Sequence, residues 1–252
     1  MKRRIFEAAV WMSCAAVWAQ TGLVAPRAGF VLDARGEVRP AMGMAGNFWL
    51  GAGVASGTAA SFGALGGFVQ DAGGVSVLDA NGQVVKRIAA RGAMEFGFAP
   101  NGAPALIYFA AAHEIGRVAA PRMVRVRVEA DLAALAEADA ANAWAVERGD
   151  GGLSRVKIAL PTGAEVSREA LVGVAEPVMI LSGGTVVFER ERSLVLRDTS
   201  GAERQIPATF DAASFTSLGD GWIAAGGKDG TQFAIRTAVG REGAWQIPEE
   251  AR

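Results

Sequence analysis

The chain has 252 residues, 51% of them hydrophobic and 20% charged, with 33 glycines and a formal net charge of −1. That balance lacks the basic surplus through which proteins bind nucleic acid or anionic membrane surfaces, so neither partner is expected. One cysteine, Cys14, and one histidine, His113, exclude an intrachain disulfide framework and any multi-histidine metal site within one chain.

In chain order, the first predicted element is an address. Met1-Lys2-Arg3-Arg4 is basic, and an apolar stretch runs from Ala8 to Ala19, shorter than the roughly 20 residues a membrane-crossing helix needs. Val17 and Ala19 are small enough for a signal-peptidase site, which predicts cleavage before Gln20. Arg3-Arg4-Ile5-Phe6 resembles the centre of a twin-arginine signal, but Glu7 breaks that pattern. Trp11-Met12-Ser13 lacks the small residues that precede a lipidated cysteine. The expectation is therefore a signal peptide over 1–19 and one soluble, exported domain over 20–252, periplasmic or extracellular. Cleavage would remove Cys14 and with it every form of thiol chemistry. No second apolar run reaches membrane length, so no transmembrane segment is expected in the mature chain.

The remaining sequence repeats a unit of β-rich run, polar turn and β-rich run. The clear copies are Gly29–Leu32 with the turn Asp33–Gly36 and Glu37–Arg39, Val75–Leu78 with Asp79–Gly82 and Gln83–Ile88, and Ser193–Arg197 with Asp198–Gly201 and Ala202–Ile206. Gly, Asn and Asp in such turns accept positive φ, the strongest short-range hairpin signal. Looser copies run from Val156 through Gly163 to Val166, and from Gln232 through Gly240–Gly243 to Ile247. Met123–Val128 alternates as a strand with one polar face should. A second unit precedes these hairpins: Phe96–Gly102 leads into Ala105–Phe109, Ile180–Gly184 into Thr185–Phe188, Ser217–Gly221 into Trp222–Ala225, and Ala140–Ala143 into Trp144–Val146. Gly67, Gly102, Ala143, Gly184 and Gly221 then mark equivalent points about 35, 41, 41 and 37 residues apart, close to the roughly 40–45 residues of a propeller blade. The fold class predicted is all-β: a β-propeller of five full four-stranded blades plus an N-terminal hairpin at 29–40, expected to close as a six-bladed ring. Glu129–Val146 is alanine-rich and favours a helix by propensity, but its register with the repeat predicts strand, loop and strand.

Phe98-Ala99-Pro100-Asn101-Gly102 resembles the F-S-P-D-G signature that begins blades in TolB-like and YVTN-like propellers. Leu78-Asp79-Ala80-Asn81-Gly82 is similar to the turn between third and fourth strands in those blades, and Gly29–Gly46 to the start of exported bacterial propellers with no assigned activity. The resemblance covers most of the mature chain and implies a fold. It implies no chemistry, because propellers host many functions.

Catalytic signatures are missing. His113 has no G-x-S-x-G elbow beside it, and Arg117 stands where the second histidine of H-E-x-x-H would be; it is expected in a surface loop after Ala110–Ala112. Asp71, Asp79–Gly82 and Gly149–Gly151 place oxygens in turns without EF-hand spacing, so turn chemistry is expected there. Glu95, Glu129, Glu176, Glu189 and Glu191 are candidate acids for glycoside hydrolysis, but no spacing brings two together. Glu189-Arg190-Glu191-Arg192 reads as a solvated hairpin tip. The clusters Gly51-Ala52-Gly53 and Gly66-Gly67 open no helix, so neither cradles phosphate. Arg122, Arg125 and Arg127 share a strand face, read as exposed and salt-bridged rather than as an anion grip. Trp49, Trp144, Trp222 and Trp245 read as blade packing, with a sugar platform as the alternative. No catalytic, metal or cofactor-binding residue and no cofactor is assigned. The function expected is a non-enzymatic, exported scaffold binding a protein, peptide or glycan in the cell envelope. Two rivals stand beside it: a propeller-type enzyme (carboxylate glycosidase, lyase or cofactor-dependent dehydrogenase) and a structural module of an envelope assembly.

Overall fold

The computed structural model describes residues 26–118, 123–219 and 221–248; the expected signal peptide lies outside them. Among these residues the chain folds into strands throughout, apart from one short 3₁₀ turn at Ala110–Ala112. The strands form six antiparallel sheets of four, each from a contiguous stretch of chain. The first sheet holds β1 (Arg27–Leu32), β2 (Glu37–Met44), β3 (Asn47–Leu50) and β4 (Ala55–Ser56). The second holds β5 (Ala59–Gly63), β6 (Gly66–Asp71), β7 (Gly74–Asp79) and β8 (Val84–Ile88). The third holds β9 (Met94–Phe98), β10 (Pro104–Phe109), β11 (Glu114–Arg117) and β12 (Val124–Arg127). The fourth holds β13 (Asp131–Glu137), β14 (Asn142–Gly149), β15 (Gly152–Ala159) and β16 (Glu165–Ala170). The fifth holds β17 (Val178–Ile180), β18 (Val186–Arg190), β19 (Ser193–Arg197) and β20 (Glu203–Pro207). The sixth holds β21 (Ala212–Gly219), β22 (Trp222–Gly227), β23 (Gln232–Arg236) and β24 (Gly243–Ile247).

Local turn chemistry makes these hairpins. Asp79 Oδ1 accepts the N–H groups of Asn81 and Gln83 at 2.8 and 2.9 Å, and Gly82 closes the turn at φ +80°. Asp33 does the same for Arg35 and Glu37, and Asp198 for Ser200 and Ala202. These carboxylates are thus engaged with their own turns, as Asx chemistry predicts. Glu191 and Arg192 form the tip between β18 and β19 at φ 53° and 58°. Gly102, Gly184 and Gly221 lie in turns between first and second strands, and Gly67 and Ala143 are the second residues of β6 and β14. The regular spacing therefore marks one structural point in five sheets. Residues 131–137 and 142–149 are strands joined by a turn, as their register with the repeat predicts. Helix propensity loses there because Leu132–Glu137 is buried along its whole length between sheets.

Hydrophobic clusters occupy the junction between each pair of neighbouring sheets, and together they close the ring. Phe62, Val69 and Leu78 meet Phe30 and Val38 between the first and second sheets. The third and fourth share Leu106, Tyr108, Leu135 and Val156, and the sixth and first share Ile247, Ala224, Val31 and Leu50. The molecule is a six-bladed β-propeller. Burial decreases outward: β7 is buried along nearly all its length, whereas every residue of β16 is exposed.

A cation links each of the first five sheets to a carbonyl of the next, beginning with Arg27 of β1, which donates to Ala80 O in the β7–β8 turn. Lys86 donates to Val118 O at 3.1 Å, Arg117 to Ala140 O at 2.8 Å, and Arg204 to Thr237 O. Arg155 donates to Gly184 O and Asp198 O, both at 2.8 Å, from a side chain only 2% exposed. Where the sixth sheet meets the first, Gln232 donates to Leu32 O at 3.3 Å, and Trp222 packs on Phe48 and Trp245 with ring centroids 5.5 Å apart.

The N-terminal hairpin departs from the repeat. It pairs with β3 and β4, which follow it directly, so it builds a sheet of its own. Gly57 donates to Gly36 O at 2.9 Å, which puts the β1–β2 turn at the end where β5 begins. In the second and third sheets the first turns meet at the opposite end, where β5 finishes and Leu65 N–H donates to Gly102 O at 3.1 Å, so the first sheet runs inverted. β1 is its innermost strand and packs against β5 and β21 from outside. Ser61 and Thr216 hydroxyls are 2.9 Å apart and Phe62 N–H donates to Thr216 Oγ1, joining β5 directly to β21.

Candidate functional site

The first strands of five sheets (β5, β9, β13, β17 and β21) enclose a central channel of about 500 Å³. Small residues converge where strands crowd the axis: Ala59, Ala60 and Ala64 on one side, Ala133, Ala134 and Ala136 on another. Had these positions carried leucines, the channel would be filled. Phe96, Phe98, Phe215 and Trp222 supply aromatic surface, and Ser182, Asn101 and Thr237 supply polar groups towards the end with the first turns. Glu95 is the sole charged residue of the wall among the described residues.

Glu95 sits near the start of β9, opposite Tyr108 in β10. Burial pushes its carboxyl up to about 7; Arg148 pulls it down, and Glu176 and Asp131 push it further up. These partners come from the fourth sheet and from the link that follows it. Arg148 ends β14 and holds Glu176 through two bonds, Nε to Oε1 at 2.7 Å and Nη2 to Oε2 at 2.8 Å. Its Nη1 donates to Leu132 O at 2.8 Å and lies 3.6 Å from Asp131. The paired guanidinium holds the Glu176 carboxyl below the usual glutamate range. Tyr108 O–H donates to Ala130 O at 2.8 Å and lies 3.2 Å from His113 Nδ1, and burial raises the Tyr108 pKa. His113 itself is exposed at φ 51° in the loop after Ala110–Ala112, as expected.

Two of the five candidate acids thus converge on one arginine. Glu95 accepts no hydrogen bond among the described residues, whereas Glu176 is committed to Arg148 on both oxygens. A hydrolytic pair needs one protonated acid and one free carboxylate, and the second requirement is unmet. Of the other acids, Glu189 accepts Ala212 N–H at 2.6 Å, Glu191 occupies its hairpin tip, and Glu129 lines a separate hollow with Arg127. Arg125 pairs with Glu114 at 3.2 Å and lies over the Phe109 ring, as the exposed-strand reading expects; Arg122 lies outside the described residues. Asp131, Arg148 and Tyr108 went unremarked in the sequence, because no spacing relates residues on four different strands and a link.

No family model matches this chain, and no curated relative matches it. Its fold is similar to that of a mutant Aleuria aurantia lectin in complex with Fucα1-6GlcNAc, at 11% identity and a TM-score of 0.58, covering 87% of this chain and 91% of the lectin. It is also similar to a protein of unknown function from Bacteroides caccae, at 13% identity and a TM-score of 0.54, covering 89% and 92% of the two chains. Likeness at such identities speaks for the fold alone: the chain shares the β-propeller architecture of both.

Proposed function

We propose that this protein is an exported, non-enzymatic binding propeller whose central channel receives part of a protein, peptide or glycan. The observation that carries this reading is the channel itself: about 500 Å³, walled by small residues and aromatics with a few polar groups. That is the size and chemistry of a ligand site. The commitment of Glu176 to Arg148 supports binding over hydrolysis. Export rests on residues 1–19, and a lectin of similar fold makes a glycan a reasonable candidate.

The test is a glycan array and a peptide array probed with the full protein and with Ser182→Trp, which narrows the channel rim. Hits that weaken about tenfold or more in the variant are expected. Empty arrays, or hits indifferent to the rim, would overturn the reading.

A further inference from the structure

We infer that the channel selects an organic cation, an ammonium-bearing group for which the Glu95 carboxylate is the counter-ion. The inference rests on the channel-binding reading above and names the ligand chemistry of that site.

Three observations lead to it. Glu95 is the one charged residue in the wall and has no hydrogen-bond partner among the described residues. A half-buried carboxylate without a partner is costly, and a ligand that supplies a positive charge recovers that cost. Next, the neighbouring cation is already spent. Arg148 places Nε and Nη2 on Glu176 and Nη1 on Leu132 O beside Asp131. Three carboxylates therefore face one guanidinium, and the channel end is net negative. Finally, Phe96, the residue after Glu95, and Phe215 add aromatic surface to the same channel, and ring faces attract desolvated cations. An anion would meet repulsion here, and a neutral ligand would leave Glu95 unpaired.

The other titratable groups around Glu95 do not offer it a partner. Tyr108 gives its proton to Ala130 O, His113 is turned to the loop beside it, and Arg91 is exposed on the link before β9. Pairing with a cation favours the ionised carboxylate, so binding expels a proton from Glu95. Affinity should therefore rise with pH through about 7 and level off above it.

The experiment compares choline with its uncharged isostere 3,3-dimethylbutan-1-ol by calorimetric titration of the full protein. At about pH 8, choline is expected to bind about tenfold tighter than the alcohol. Its affinity should fall severalfold by about pH 6. Glu95→Gln keeps the shape of the side chain and should abolish both the preference and the pH dependence. Circular dichroism of the variant checks its fold, and the wild-type pH series provides a test that needs no variant. Equal binding of the two probes, no binding of choline, or a preference that survives Glu95→Gln would overturn the inference. Array hits that require the channel but show no cation preference would overturn this inference alone; arrays empty on both counts would remove the binding reading itself.

Discussion

Residues 33–36 and 79–82 carry the same turn, an aspartate that caps two backbone N–H groups and a glycine at positive φ. They nevertheless lie on opposite faces of the ring. In the second sheet the turn joins third and fourth strands. In the first it joins β1 and β2, which stand outside the circle formed by β5, β9, β13, β17 and β21. Turn chemistry builds a hairpin wherever it occurs, but neighbours decide which place in a blade that hairpin takes. The difference extends to how the sheets are held. The junction between first and second sheets buries five core residues, against twelve between third and fourth. The closing junction has an uncharged Gln232 contact where Arg155 spans the fourth and fifth. The first sheet is thus expected to be the weakest unit of the ring.

The largest effect that sharpens this contrast should come from Arg155→Ala. It strips the donor from Gly184 O and Asp198 O and leaves Glu169 without its partner. Urea unfolding should register a loss of about 3–5 kcal/mol, whereas Gln232→Ala at the closing junction should cost under about 1 kcal/mol. Equal losses would erase the distinction between the junctions.

A smaller effect is expected from Gly29→Ala. A Cβ there would lie 2.8 Å from Leu218 O and 2.9 Å from Leu218 Cδ2, so β1 must move away from β21. The cost should be about 1–3 kcal/mol. Amide exchange should speed up over residues 27–50 and stay slow over 131–159. A uniform rise around the ring would show that the first sheet does not open on its own.

The smallest effect belongs to the five-walled channel. Glu95 keeps its proton up to about 7 when folded, against 4.5 as an ordinary glutamate. Between those values the folded chain holds a proton that the unfolded chain releases, so stability falls as pH rises across the window. Above about 7 the loss is complete. Allowing for partial solvent contact, it should amount to about 1–2 kcal/mol. Glu176 acts in the opposite sense at lower pH, because its lowered pKa loses stability as pH falls below the usual glutamate range. Thermal melts of Glu95→Gln should lack the decline between about pH 5 and 7; an unchanged profile would show that Glu95 is not buried against the channel.

Much of the fold was legible because its signals are local. The alternation in β-rich runs, the Asp-x-x-Gly turns and the regular spacing from Gly67 to Gly221 each depend on residues a few positions apart. Even Glu129–Val146 was resolved correctly by its place in the repeat, against the helix propensity of its alanines. The F-A-P-N-G stretch proved to be the end of β9 and its turn, with Asn101 Oδ1 accepting Ala103 N–H at 3.0 Å. The site was less legible. Glu95 and Glu176 were both candidates, but their relation passes through Arg148, a residue in another sheet with no motif around it.

By itself, the amino-acid sequence determined the strand–turn unit, its five full copies and its all-β character, because positive φ and side-chain capping are properties of short segments. Only the tertiary structure decided that the first sheet stands inverted and outside the channel wall. It also decided that one carboxylate is left unpaired in that wall. Both outcomes arise from packing between sheets distant in the chain, where burial and through-space charge act on residues that no local pattern connects.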